Sequence, residues 1–91
     1  MKPFAIELMD VFLRDAETQF EQLKNALHQG DKKSLERTAH TIKGSAANIC
    51  AKVLSNVAHE IEKAAKAGQL DRARDLFGDL KDQFERFKAA L

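Results

Sequence analysis

Four stretches in which apolar residues recur every three or four positions constrain the fold of this chain more than any other feature. That spacing lines one face of an α-helix. Pro3 is the only proline, and runs of β-branched residues of the kind that form strands do not occur. The sequence therefore predicts an all-α protein.

The predicted core positions form four groups, one for each helix. They are Leu8, Phe12, Ala16, Phe20, Leu23 and Leu27; Leu35, Ala39, Ile42, Ala46 and Ile49; Leu54, Val57, Ile61 and Ala64 or Ala65; and Ala73, Leu76, Phe77, Leu80, Phe84, Phe87 and Leu91. Gly30 and Gly68 are expected to end the first and third helices, and Asp31 to cap the second. Because the connections are short, the helices pack most simply as an antiparallel up-down-up-down four-helix bundle.

Length, composition and charge limit the other possibilities. The 91 residues are enough for one domain, spanning residues 1–91, and 44% hydrophobic with 32% charged residues is typical of a soluble globular protein. The net charge of +1 gives no general reason to expect nucleic acid or a membrane as a partner. Cys50 is the only cysteine, which excludes an internal disulfide, and we interpret it as a small core or boundary residue. We expect a cytoplasmic monomer.

The second predicted helix carries His40 on the face away from its core stripe. At about 100° per residue, Gly44 and Ala47 fall on the same side, as would Ala51 if the helix extended that far. The turns that follow His40 therefore have almost no side chain. A glycine inside a helix costs about 1 kcal/mol relative to alanine, and core packing cannot explain it on an exposed face. Close approach by another macromolecule can.

Two long cations flank His40 on this helix. Arg37 lies three residues before it and Lys43 three residues after it, and residues 31–50 carry a formal charge of +2. A neutral imidazole is a nucleophile at neutral pH without a base to activate it. It could attack an activated phosphoryl group, and because the N–P bond is itself reactive, the group could then be handed on.

The motif AHTIKGSAAN, with His40, Lys43, Gly44 and Ser45, resembles the signature of histidine-containing phosphotransfer (HPt) domains of multistep phosphorelays. The stretches FLRDAETQFEQLKNAL and HEIEKAAKAGQLDRARDLFGDL are similar to the helices that flank this motif in bacterial members. The resemblance implies that His40 is phosphorylated, that Lys43 assists the phosphoryl group and that Gly44 keeps the docking face open. The implied partners are receiver domains of response regulators or of a hybrid sensor kinase, with an aspartate and Mg²⁺ of their own.

The resemblance also implies a phosphoryl carrier without kinase or ATP-binding activity and without a cofactor of its own. The chain begins almost directly with the first helix, which fits either a minimal protein or a module of a hybrid sensor kinase. Around the motif, the expected docking residues are Arg37, Thr41, Ala47 and Asn48. Glu36 could orient the ring of His40, and Ser45 could hydrogen-bond either a backbone carbonyl or phosphate.

Three alternatives differ from this interpretation. The dimerisation hairpin of sensor kinases has an acidic residue after its histidine and then a proline, whereas here Thr41 follows His40 and no proline occurs after Pro3. A metal-binding bundle could use Glu36 and His40, which are four residues apart, but the sequence supplies few further ligands, and no metal site is predicted. A helical interaction module without chemistry would only dock its basic helix on an acidic surface.

Overall fold

Four amphipathic segments form four α-helices. The structure is a computed structural model that describes residues 4–49 and 51–91, with side chains from residue 9 onward in these ranges. The helices are α1 (Phe4–Gln29), α2 (Lys32–Asn48), α3 (Lys52–Lys66) and α4 (Leu70–Ala89). Connections of at most three residues reverse the chain between successive helices, so the predicted all-α four-helix bundle is confirmed.

The predicted helix ends are also confirmed. Gly30 and Gly68 adopt positive φ angles of 65° and 72°, and after each glycine the next amide donates to the carbonyl five residues earlier, at 3.0 and 2.9 Å. This arrangement satisfies carbonyls that a helix end leaves without partners, and glycine adopts it without strain. Asp31 caps α2, because its carboxylate accepts from the amide of Ser34 at 3.2 Å and from the hydroxyl at 2.8 Å.

Most predicted core positions are buried. The buried ones are Phe12, Ala16, Leu23, Leu27, Leu35, Ala39, Ile42, Ala46, Leu54, Ile61, Ala64, Ala65, Ala73, Leu80 and Phe84, and the partly buried ones are Phe20, Ile49, Val57, Leu76, Phe77 and Phe87. The prediction for Leu91 is wrong: its side chain is 65% exposed, because α4 ends at Ala89. Leu8 and Cys50 lie outside the described side chains.

Ala51 does not join the exposed face of the second helix. The sequence places it there only if that helix extends so far, but α2 ends at Asn48 and Ala51 is buried as the residue before α3. The sequence also missed three buried positions, which are Ala26, Ala58 and Glu62. Glu62 is a charged residue on the buried side of α3, and its position determines the arrangement of the site.

Two seams of the bundle are built differently. Large rings join α1 to α4: Phe12 contacts Phe84 and Phe87, and Phe20 contacts Phe77 and Phe84, with ring centroids 4.8–6.5 Å apart and edge-to-face angles. We call these five residues the phenylalanine seam. By contrast, the buried faces of α2 and α3 are rich in alanine, and the backbones of these two helices approach each other most extensively. Ala39, Ala46, Ala58 and Ala65 are the alanine seam.

Candidate functional site

His40 lies in the middle of α2, above the seam with α3. Its side chain is 64% exposed, and its Nδ1 atom lies 2.9 Å from Oε2 of Glu62. The two residues are 22 positions apart in sequence, so only the packing of α2 against α3 brings them together. One edge of the ring is therefore held by the protein while the other faces solvent.

Glu62 is a buried carboxylate surrounded by basic groups. Its side chain is only 8% exposed, and Oε1 accepts a hydrogen bond of 3.0 Å from Nζ of Lys43. Burial alone would raise the pKa of Glu62, but the hydrogen bonds and charges of Lys43 and His40 outweigh it, so the pKa lies below its ordinary value. The carboxylate is therefore ionised at neutral pH.

The charge of Glu62 fixes the tautomer of the neutral His40 ring. An ionised carboxylate can only accept hydrogen bonds, so Nδ1 must carry the proton that lies between the two groups. Nε2 is then the unprotonated nitrogen with a lone pair. Among the side chains that the structure describes, none forms a hydrogen bond to Nε2. The exposed nitrogen is thus the nucleophilic one.

Hydrogen bonds to the backbone hold the helices around this pair. The Ser55 hydroxyl on α3 donates to the carbonyl of Lys43 on α2 at 3.1 Å and so links the two helices one turn beyond His40. The Thr41 hydroxyl donates to the carbonyl of Arg37, also at 3.1 Å, within α2. The Ser55 contact helps to fix the relative position of α2 and α3 where their side chains must meet.

The face around the exposed nitrogen is open. A Cβ atom added at Gly44 would meet no heavy atom within 4 Å, so the fold itself does not require glycine there. On the other side of His40, an open groove of about 510 Å³ runs between α2 and α3. It is lined by Lys33, Glu36, Arg37, His40 and Glu62. The surface therefore combines a bare turn with a groove that carries two cations.

Comparison with known proteins agrees with this geometry. The family model described as "Hpt domain" matches residues 7–90. The chain belongs to the Hpt domain family. A curated relative of this Hpt domain, the phosphorelay intermediate protein rdeA of Dictyostelium discoideum, is 30% identical over 84 residues, which are 92% of this chain. The chain spans only 33% of the length of that relative, and no solved structure gives a significant match.

The structure brings some of the predicted site residues together and leaves others apart. Lys43 and His40 meet through Glu62. The expected docking residues are exposed on α2, namely Arg37, Thr41, Gly44, Ala47 and Asn48. Ser45 is half-buried, without a hydrogen bond to the described residues.

The role suggested for Glu36 needs correction. Glu62 on α3 orients the His40 ring through its hydrogen bond with Nδ1. The Glu36 carboxylate instead lies 3.9 Å from Nζ of Lys66. The reason is that α3, which the sequence did not place, flanks the His40 side of α2. One signal did mark Glu62 in the sequence: it interrupts a row of small apolar residues, Ala58 and Ala65, on the buried side of α3.

The remaining observations concern metals and membranes. Among the described residues, no cluster of three or more histidine, cysteine, aspartate or glutamate side chains has the geometry to hold a metal ion. No described helix is both long enough and apolar enough to span a bilayer.

Proposed function

We propose that this Hpt domain carries a phosphoryl group on Nε2 of His40 and relays it between aspartates of receiver domains. The observation that carries the proposal is the 2.9 Å contact of Nδ1 with the buried, ionised Glu62, which leaves Nε2 as the nucleophilic nitrogen of an exposed ring. Membership of the Hpt family and a relative named as a phosphorelay intermediate support it.

The transfer step follows from this tautomer. The Nε2 lone pair attacks the phosphorus of an acyl phosphate on a receiver aspartate, so an N–P bond forms as the P–O bond breaks and the carboxylate leaves with the electron pair. The ring keeps its Nδ1 proton and becomes a phosphoimidazolium, whose positive charge Glu62 balances. Transfer to a second aspartate reverses these changes and restores the neutral ring.

Two groups of residues assist in this proposal. The ammonium of Lys43 binds the same carboxylate as the His40 ring, and it neutralises part of the phosphoryl charge. Gly44 and Ala47 leave room for the receiver domain, and Arg37, Thr41 and Asn48 contact it. The receiver supplies Mg²⁺, and this chain acts as a carrier in the cytoplasm, without a cofactor or kinase activity of its own.

Phosphorylation by a small donor tests the proposal directly. The native protein and His40→Gln are incubated with phosphoramidate, and intact mass, acid lability and the ring ¹⁵N and ³¹P spectra are recorded. We expect one acid-labile phosphoryl group, attached to Nε2, on the native protein and none on the variant. A receiver domain with Mg²⁺ should then discharge it.

The alternatives predict other outcomes. If both proteins stay unmodified, or both are modified equally, His40 is not the carrier, and the interaction module without chemistry takes precedence. If the adduct forms on Nδ1, the assignment of the tautomer is wrong although His40 is the carrier. Circular dichroism of His40→Gln provides the control for folding, which an exposed side chain should not affect.

A further inference from the structure

Glu62 has more basic neighbours than its two hydrogen bonds require. Besides His40 and Lys43, the Nδ1 atom of His59 lies 3.6 Å from Oε1, and Nζ of Lys66 lies 3.9 Å from Oε2. Both distances exceed those of ordinary hydrogen bonds. Each carboxylate oxygen therefore has one hydrogen-bonded partner and one further basic group, which would have to move by about 1 Å or less to form a hydrogen bond.

Lys66 is shared between two carboxylates. Its Nζ is 3.9 Å from Glu62 on its own helix and also 3.9 Å from Glu36 on α2, so it bridges the groove beside His40. The side chains of Lys66 and His59 are 58% and 50% exposed. Neither is fixed by packing on all sides, and small rotations can move each one onto Glu62.

Phosphorylation of His40 would give the ammonium of Lys43 a second possible partner. If His40 carries a phosphoryl group as proposed above, about 1.5 to 2 negative charges appear beside the ring, and they compete with Glu62 for the ammonium of Lys43. If Lys43 left Glu62, Oε1 would lose its hydrogen bond, and a buried polar atom without a partner costs free energy. Lys43 can turn to the phosphoryl group at low cost only if other groups replace it.

We infer that His59 and Lys66 are reserve partners of Glu62: when Lys43 turns to the phosphoryl group, His59 closes on Oε1 and Lys66 closes on Oε2. They are positioning residues, because they act on the phosphoryl group only by releasing Lys43. This inference rests on the proposed function of His40. It explains why the buried carboxylate of Glu62 is surrounded by four basic side chains rather than two.

A ³¹P NMR titration of the phosphorylated protein measures where Lys43 is. A cation beside the phosphoryl group lowers its pKa, so Lys43→Gln should raise that pKa by about one unit. If the inference holds, the double variant His59→Ala, Lys66→Gln raises it nearly as much, since Lys43 must stay with Glu62. The single variant Lys66→Arg keeps the positive charge, so its phosphoryl pKa should be that of the native protein.

Lys63→Gln is the matched control. Lys63 is also on α3 and also exposed, but it pairs with Glu60 at 3.5 Å instead of Glu62. We expect the phosphoryl pKa of this variant to be that of the native protein. In the unphosphorylated double variant, the ring ¹⁵N shifts of His40 should also be unchanged, because Lys43 still holds Glu62.

A double-mutant cycle separates indirect from direct action. In a Lys43→Gln background, the changes at His59 and Lys66 should have no further effect on the phosphoryl pKa. If their effect persists there, they contact the phosphoryl group directly and the inference is wrong. It is also wrong if the double variant has the native pKa. Absence of any phosphohistidine signal from the native protein would instead overturn the proposed function itself, and this inference with it.

Discussion

The alanine seam and the phenylalanine seam hold the same bundle together by opposite means. Small side chains let the backbones of α2 and α3 come close, whereas rings keep α1 and α4 further apart and fill the space between them. The only buried charged residue in the described chain, Glu62, lies on α3, at the alanine seam. The proposed site therefore lies where two helices pack most extensively.

The difference teaches what each seam contributes. Rings that meet edge to face, with centroids 4.8–6.5 Å apart, tolerate small shifts and supply hydrophobic stabilisation. A 2.9 Å hydrogen bond between His40 and Glu62 tolerates almost none, so α2 and α3 must keep a fixed register. We therefore expect stability and chemistry to be separable, and mutations in the two seams can test that separation.

The largest expected effect is on stability, in the phenylalanine seam. Phe84 is buried and contacts both Phe12 and Phe20, so Phe84→Ala should lower the free energy of unfolding by about 3–5 kcal/mol. Urea denaturation measures the loss. The rate at which phosphoramidate modifies the folded fraction should not change, and a parallel fall in that rate would show that the seams are coupled.

The next largest effect is on chemistry, in the alanine seam. Glu62→Leu removes the acceptor for Nδ1, and a hydrogen bond to a charged group contributes about 1.5–3 kcal/mol, which corresponds to a fall of about 10- to 150-fold in the rate of His40 phosphorylation. Ring ¹⁵N shifts should show a mixture of tautomers. Some stability should also be lost, because Lys43 keeps its charge without its acceptor, so the rates are compared for the folded fraction.

Glu62→Gln is the matched variant for that experiment. Its amide oxygen still accepts from Nδ1, so it should be phosphorylated faster than Glu62→Leu. Equal rates in the two variants would mean that orientation of the His40 ring by Glu62 does not assist the reaction.

A smaller effect should appear with pH. Because the pKa of Glu62 is lower in the folded protein than its ordinary value of 4.5, its ionisation stabilises the fold above that value, and the contribution is lost as the pH falls through the folded pKa. Urea denaturation between neutral and acidic pH should show this loss in the native protein. The same titration of Glu62→Gln should lack this component, and identical pH profiles for both proteins would contradict the assignment.

The two seams also differ in how well the sequence predicts them. The helices, their glycine ends and the Asp31 cap follow from local patterns, since spacing and capping depend only on neighbours along the chain. His40, Lys43 and Gly44 could be selected for the same reason, as parts of one short motif. The helix boundaries near residue 50 and at the end of α4 were less predictable, because the apolar spacing continues past the residues at which these helices end.

Glu62 could not be assigned its role in this way. Its partner lies 22 residues away, and which helix flanks the His40 side of α2 depends on the handedness of the whole bundle. Glu36 was the local candidate, because it lies one turn before His40 on the same helix and spacing within that helix could identify it. The physical cause of the error is that a buried carboxylate gains its partners from packing between helices, which the spacing within one helix does not specify.

The smallest expected effect compares two glycines that differ only in where they lie. Gly44 and Gly78 are both exposed inside helices, and a Cβ atom added at either would meet nothing within 4 Å. Gly44→Ala and Gly78→Ala should therefore each raise the free energy of unfolding by about 1 kcal/mol. Nothing in the structure explains Gly78, which makes it a control for Gly44.

Their effects on transfer should diverge. Phosphoramidate is small and should modify His40 equally in both alanine variants. A receiver domain must cover the bare turn, so of these two variants only Gly44→Ala should receive the phosphoryl group more slowly. Transfer to Gly44→Gln should be slower still. Stopped-flow or gel measurements of transfer from a phosphorylated receiver give the rates. If Gly78→Gln slows transfer as much as Gly44→Gln, the docking face is not the exposed side of α2, and the glycine beside His40 is kept for a reason other than access.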